Sequence, residues 1–319
     1  MKIFIDFRSP ALTKNNVAVT VGVFDGVHIG HQAVIQCLIS KAKNHNLLTA
    51  VLIFDPSPVE YFQSSQQKSS LTDLNQKISI FEQLGLDLLV IVPFSSIVGM
   101  SADEFLQEVL INQLKAKAVV SGYDWQFGKG RTGNPQFLKS VGKRHGVDIE
   151  IVAPRYIEGK PVHSTWIRKE VEKGDLNLVA DLLGRKYTIT GTVIKGDQRG
   201  RKIGFPTINI NTGDLVLPPS GVYAIHANFG KRSFGGVLIM GTRPSFKGQK
   251  FQVEAHLFDF NQIVYGQQVE ITLAAKIREE RKFSNLDGLT KQIKADIDNA
   301  RLTLSQGSNC NIACTEISI

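Results

Sequence analysis

Near Leu183-Gly184-Arg185 the spacing of apolar residues changes from one regime to another, and no single sheet or bundle accommodates both. Upstream, strand-length apolar runs alternate with helical spacing. Val17–Phe24 reads as a strand, and Val34, Ile35, Leu38, Ile39 and Ala42 then mark one face of a helix starting near Ile29. Leu47–Phe54 and Leu88–Phe94 read as further strands, with a helix over Leu71–Leu84 between them. Ser101-Ala-Asp-Glu104 has the form of a capping box ahead of Phe105, Leu106, Val109, Leu110 and Leu114, and strands follow at Ala118–Ser121 and Val147–Val152. This alternation predicts an α/β unit with a doubly wound parallel sheet. Downstream of Gly184, a helix stop, come Tyr187–Ile194, Phe205–Ile210, Val222–Asn228, Ser233–Met240, Phe251–Phe260 and Val269–Ile277. Short, β-branched and punctuated by turn residues, they predict an antiparallel β-barrel or sandwich. A C-terminal helix from Ser284, carrying Leu286, Leu289, Ile293, Ile297, Ala300 and Leu304, is expected to pack on it. At roughly 100–200 residues per domain the length fits two units. They are placed at residues 1–184 and 185–305, with 306–319 a loose tail.

Composition narrows the function classes. Apolar residues make 42% and charged residues 21% of the chain, which is globular rather than disordered composition. No apolar run approaches the ~18 residues of a spanning helix, and the start, MKIFIDFRSP, lacks a secretory signal. Three cysteines (Cys37, Cys310, Cys314) cannot make a disulfide framework, and the pair in the tail lacks partners for a metal. A cytoplasmic protein with no membrane partner is the expectation. Lys and Arg outnumber Asp and Glu by 37 to 29, a net +8 that suits an anionic partner.

Gly22-Val-Phe-Asp-Gly-Val-His-Ile-Gly-His31 is the most informative stretch. A strand ending at Phe24, a tight turn at Gly26 and a helix start near Ile29 put His28 and His31 on one side of the first helical turn. Free N–H groups there attract anions, and Gly30 is expected to let a ligand approach the backbone. Ser164 or Thr165 can cap a second helix start, with Arg168 one turn inside. Asp124, after a strand, reads either as a ligand for a hydroxyl or amine or as a solvated turn carboxylate. In the second half, Gly196, Gly200 and Gly204 with Arg199, Arg201 and Lys202 make a basic loop suited to covering phosphates. Its spacing is neither a Walker A loop nor a protein-kinase glycine loop. Thr207 and Asn209, two apart on an expected strand, should share a face and offer oxygens to a Mg²⁺ ion.

Taken in order, these segments resemble the bacterial bifunctional riboflavin kinase/FAD synthetase family. The first is similar to its nucleotidyltransferase signature; class I aminoacyl-tRNA synthetases and cytidylyltransferases share the histidine pair, but not the later segments. Those are Ile53-Phe-Asp-Pro-Ser-Pro58, Ser121-Gly-Tyr-Asp-Trp-Gln-Phe-Gly-Lys-Gly-Arg-Thr-Gly133 and His163-Ser-Thr-Trp-Ile-Arg168. Pro206-Thr-Ile-Asn209 matches the riboflavin kinase signature, followed by Gly221-Val-Tyr-Ala224, Val253-Glu-Ala-His256, Tyr265-Gly266 and Ile277-Arg-Glu-Glu-Arg-Lys-Phe283. The resemblance implies a Rossmann-like nucleotidyltransferase unit, followed by a kinase barrel. It implies phosphorylation of riboflavin to FMN, then transfer of AMP from ATP to FMN, with Mg²⁺ as cofactor and ATP, riboflavin and FMN as partners. On this reading His28 and His31 act at the α-phosphorus, with Gly22, Phe24, Asp25, Gly26 and Gly30 around the nucleotide. Ser164, Thr165 and Arg168 hold the outer phosphates. Asp124, Trp125, Phe127 and Arg131 meet the flavin, though two aromatics so spaced are more often core or rim packing. Gly196, Arg201 and Gly204 cover the kinase phosphates, Thr207 and Asn209 take the metal, and Glu254 is the general base or else a surface residue of an alternating strand.

Four positions depart from the family pattern: Ser57 in place of His, His163 of Ser, Ile239 of Asn and Ser245 of Thr. Two rivals stand beside the bifunctional reading, a chain retaining one activity and a basic nucleic-acid-binding protein; homo-oligomerisation is left open.

Overall fold

Six parallel strands form the first sheet: β1 (Lys2–Ile5), β2 (Val17–Val21), β3 (Leu48–Phe54), β4 (Leu88–Val92), β5 (Ala116–Gly122) and β6 (Asp148–Val152). Their order is β1-β4-β3-β2-β5-β6, so the chain winds outward in both directions from β2 and the topology reverses between β2 and β5. Every residue of β2 and of β4 is buried, which is why these strands read as unbroken apolar runs. The edge strand β1 was not legible because Ile3 and Ile5 are exposed. The computed structural model describes residues 1–9, 15–62, 70–245 and 248–307.

Helices cover both faces of this sheet. On α1 (Ile29–His45) the expected stripe, Val34, Ile35, Leu38 and Ala42, is buried against Ala18, Val51, Leu89 and Val120. After the short α2 (Pro58–Phe62), α3 (Leu74–Gln83) starts at a capping box, in which Asp73 accepts from Gln76 N–H and the Gln76 side chain accepts from Asp73 N–H. The box expected at Ser101 and Glu104 forms as well; it opens α4 (Ala102–Glu104), which continues as a π-helical stretch, Phe105–Gln113. Asn134 and Pro135 start α5 (Pro135–His145), and Gly146 ends it at φ 67°. A two-residue pair of strands, β7 (Tyr156–Ile157) and β8 (Lys160–Pro161), leads to α6 (Ser164–Lys173) and α7 (Leu176–Leu183).

The second half closes into an antiparallel barrel ordered β10-β13-β12-β11-β14-β9. Its strands are β9 (Thr188–Ile194), β10 (Ile208–Asn211), β11 (Gly221–Phe229), β12 (Arg232–Ser245), β13 (Gly248–Leu257) and β14 (Gln268–Arg278); α8 (Arg199–Lys202) interrupts the first connection. Glu254 on β13 stands directly opposite Asn209 on β10 and, on its other side, opposite Ile239 on β12. Residues so paired share a face of the sheet. Contacts divide the chain into two units, Met1–Ile167 with Leu182–Gly184, and Arg168–Asp181 with Arg185 onward. Residues 168–181 thus group with the barrel although they precede Gly184.

The last helix, α9 (Leu286–Gly307), lays Ile297, Ala300 and Leu304 on Val222, Ala224, Val237 and Phe258. It runs through residues 306 and 307, two residues into the expected tail; Cys310 and Cys314 lie outside the described residues. Asp296 is buried within α9, and Arg278 at the end of β14 donates to it twice, Nε to Oδ1 at 2.8 Å and Nη2 to Oδ2 at 2.7 Å. Removing one partner strands the other charge out of water. Asp296→Ala is therefore expected to destabilise the barrel unit by about 3 kcal/mol. Chemical denaturation followed by circular dichroism checks this. Tryptophan fluorescence serves as an internal control, because Trp125 and Trp166 both belong to the first unit.

Candidate active sites

The turn after β2 is strained and heavily tied down. β2 stops at Val21 rather than running to Phe24, which takes a left-handed backbone at φ 49°, followed by Gly26 at 80° and Val27 at 38°. A β-branched residue in that region is costly, and such strain persists only where surrounding bonds hold it. Asp25 provides them. Its buried carboxylate accepts from Leu71 N–H at 2.8 Å and Thr72 N–H at 3.2 Å, while Gly26 N–H donates to Thr72 Oγ1 at 2.9 Å. Ser164 Oγ donates to the Asp25 carbonyl at 2.9 Å. Asp25, expected at the nucleotide, thus has its carboxylate turned onto backbone.

His28 caps α1, its Nδ1 accepting from His31 N–H at 3.3 Å. That bond leaves the proton of the neutral ring on Nε2. The His31 ring stacks on it at 3.7 Å and 19°. Phe24 lies 5.0 Å from His31, and Phe81 of α3 meets Phe24 edge-on at 5.7 Å. Burial first, then the His28 ring and the Lys77 ammonium, hold His31 well below the ordinary imidazole pKa of 6.5. His31 Nδ1 is buried with no hydrogen-bond partner. A Cβ on Gly30 would lie 3.0 Å from the His28 ring, so the space expected for a ligand there is taken by His28. A Cβ on Gly22 would likewise meet the Phe24 ring at 3.0 Å.

This turn and the one after β5 flank the point where the sheet topology reverses, beyond the carboxyl ends of the strands. Asp124 and Arg131 are exposed there. Trp125 and Phe127 do not alternate along a strand: the chain turns and their rings stack on each other at 4.3 Å and 14°, with Phe127 packed in the core. One face of each ring is therefore already covered. Sequence reasoning missed an aromatic cluster at the same strand ends: Phe54, Tyr61, Phe62 and Phe94, with Phe94 5.4–5.7 Å from the other three. Phe62 is 68% exposed. The adjacent Tyr61-Phe62 pair was its only sequence signal.

Ser164 sits in the first turn of α6, but neither it nor Thr165 caps the helix. His163 does, its Nδ1 accepting from Trp166 N–H at 3.1 Å. This frees the Ser164 hydroxyl to bond Asp25; Arg168 is one turn further along α6. Ser57 likewise caps α2: Ser57 N–H donates to Glu60 Oε2 at 2.7 Å and Glu60 N–H to Ser57 Oγ at 3.3 Å. Burial raises the Glu60 pKa, but the bonds from Ser57 and Ser70 and the Lys77 charge outweigh it and hold it low.

In the barrel, the Asn209 amide lies against Gly196, where any Cβ would collide with its nitrogen. Glu254 is buried opposite. Thr207 precedes β10 rather than lying in it, so the shared strand face rests on Asn209 and Glu254. Thr207 instead lines a cavity of about 210 Å³ with Gln198, Arg201, Pro206 and Tyr265. His256 Nδ1 donates to Pro206 O at 2.8 Å and fixes the approach to Thr207. Gly204 turns the loop at φ 87°. Ile239, beside Glu254, packs with the cluster under α9; the Ser245 side chain lies outside the described residues. Among the described residues no three His, Cys, Asp or Glu side chains cluster as metal ligands, and the hard oxygen donors here are those of Thr207, Asn209 and Glu254.

Paired imidazoles at a helix start on a parallel sheet, joined in one chain to a barrel with a carboxylate–amide strand face, define a two-domain phosphotransfer enzyme. The family profile for FAD synthetase matches residues 11–166 and that for riboflavin kinase residues 183–304. A Haemophilus influenzae protein named bifunctional riboflavin kinase/FMN adenylyltransferase is 40% identical over 286 residues, 89% of this chain and 93% of that one. A Bacillus subtilis protein of the same name is 36% identical over 288 residues, covering 88% and 90%. A Streptococcus pneumoniae crystal structure described as a macrolide-efflux protein superimposes with a TM-score of 0.81 at 27% identity, covering 94% of this chain and 99% of that one. The chain belongs to the bifunctional riboflavin kinase/FMN adenylyltransferase family. No helix among the described residues is long and apolar enough to cross a membrane.

The His31 environment has a consequence for stability. Because its folded-state pKa lies below 6.5, the unfolded chain binds the extra proton. The contribution of a neutral buried His31 is thus complete above about pH 6.5 and is lost as the pH falls toward the depressed value. Tryptophan-monitored denaturation between pH 7.5 and 5 should show this loss, and His31→Gln should flatten it.

Proposed function

We propose that this chain makes FMN and then FAD, with adenylyl transfer in residues 1–184 and riboflavin phosphorylation in residues 185–305. The observation that carries the first activity is the stacked histidine pair at the start of α1, with His31 Nδ1 buried and unpartnered. In that step an FMN phosphate oxygen attacks the α-phosphorus of ATP; the new P–O bond forms as the bond to the β-phosphate bridging oxygen breaks and pyrophosphate leaves. The attacking phosphate is already an anion, so no protein nucleophile or base is needed. His28 Nε2–H and the free N–H groups of α1 donate to the oxygens that gain charge. Both imidazoles can do so while neutral. By family resemblance Thr165 and Arg168 hold the outer phosphates, and Asp124, Trp125 and Arg131 meet the flavin. Phe127 backs Trp125, and the exposed rings of Tyr61 and Phe62 add an apolar face for the isoalloxazine.

In the kinase step Glu254 takes the proton of the riboflavin 5′-hydroxyl as its oxygen attacks the γ-phosphorus, and ADP leaves. The pairing of Glu254 with Asn209 supports this role, because it puts a carboxylate and an amide oxygen side by side. Mg²⁺, bound with ATP, would supply positive charge to the phosphate oxygens. Thr207 and Asn209 fit it as neutral oxygen donors of a partly hydrated ion. Gln198 and Arg201 of the glycine loop line the cavity beside Thr207, which this reading assigns to the nucleotide. The +8 charge fits anionic substrates, and dependence on ATP fits a cytoplasmic location.

Full-length variants test the division of labour. His31→Ala should slow FAD formation from FMN by ~10²-fold or more while riboflavin phosphorylation continues. Glu254→Gln should do the reverse, with FMN formation lost and FMN still adenylylated. Separation of riboflavin, FMN and FAD after incubation with Mg-ATP reads both; equal effects on the two products would defeat the assignment. Because residues 168–181 group with the barrel, a fragment 168–319 is expected to fold and phosphorylate riboflavin with a higher melting temperature than a fragment 185–319.

A further inference from the structure

We infer that Lys77 is a further phosphate-binding residue of the adenylyl-transfer site, placed to hold the ATP phosphate chain beside His31. The inference rests on the adenylyl-transfer reading above. Lys77 stands one turn inside α3, its N–H donating to the carbonyl of the capping residue Asp73. The segment entering α3 is bonded to the strained turn through Asp25 and Gly26, so the start of this helix is fixed against the nucleotidyltransferase signature. Phe81 lies four residues beyond Lys77 and therefore on the same face of α3. That face looks toward the histidines, because Phe81 meets Phe24 and Phe24 meets His31.

Lys77 is only 9% exposed, its stem buried while its ammonium reaches solvent, and among the described residues that ammonium has neither an ion pair nor a hydrogen bond. The carboxylate that senses it, Glu60, is occupied elsewhere, accepting from Ser57 N–H and from the Ser70 hydroxyl. The Lys77 charge also reaches His31 and helps keep that ring neutral. His31 Nδ1 is buried without a hydrogen-bond partner, and the Lys77 ammonium, close enough for its charge to act on that ring, is open to a ligand. An anion with several oxygens satisfies both at once, and a phosphate chain is such an anion. Neither Lys77 nor the segment around it belongs to the motifs read from the sequence.

Lys77→Met keeps the apolar stem in place and removes the charge. In the full-length protein it should raise the KM for ATP in FAD formation and weaken calorimetrically measured binding of inorganic pyrophosphate, each by ~10-fold or more. Riboflavin phosphorylation and melting temperature should stay as in the parent, and Lys77→Arg should recover most of the loss. A Lys77→Met protein with parental KM for ATP and parental pyrophosphate affinity would overturn the inference. So would losses that track a lowered melting temperature and are not recovered by arginine, the mark of a packing role. A parent protein that makes no FAD from FMN would instead remove the adenylyl-transfer reading itself.

Discussion

The carboxylate of Asp25 holds together the part of the molecule on which the chemistry depends. Phe24, Gly26 and Val27 all sit at positive φ, a sequence of backbone conformations that a free loop would relax. Asp25 prevents this by accepting two N–H groups from the start of the α3 segment, while its own carbonyl takes the Ser164 hydroxyl. Three pieces of chain far apart in sequence are thereby drawn to one turn. The stacked imidazoles, the aromatic contact through Phe24 to Phe81 and the start of α6 all follow from where that turn is held.

The two units solve the same chemical problem with different backbones. In the parallel sheet, anion affinity comes from a helix start and from the gap where strand order reverses, so the groups that meet phosphate lie on turns. In the barrel, adjacent antiparallel strands place Asn209 and Glu254 side by side with fixed spacing. The glycine loop adds what the strands lack, since Gly196 leaves room for the Asn209 amide and Gly204 reverses the chain. The departures from the family pattern follow the same logic. Ser57 and His163 both serve as helix caps, and Ile239 packs under α9.

Much of this was legible in the residues themselves. The buried runs of β2 and β4, the stripe on α1, the capping box at Ser101 and the alternation of the barrel strands are local patterns imposed by periodicity, and each formed, though β2 and β4 end at Val21 and Val92, short of the expected Phe24 and Phe94. The histidine pair was legible because three-residue spacing on a helix is also local. What only the tertiary structure decided concerns groups whose partners lie far along the chain. The bracing role of Asp25 has no signal in sequence, because the Leu71 and Thr72 N–H groups that reach it lie far along the chain. Trp125 and Phe127 read as a strand face and are a stacked pair, because the chain turns at 123–124 and Phe127 then pairs with Gly133. Lys77 carried no signal at all, since a lysine on a helix is ordinarily solvated. Its burial exists only once α3 is fixed against the strained turn. Periodicity is a property of neighbours in sequence; the partner of a buried polar group is a property of the fold.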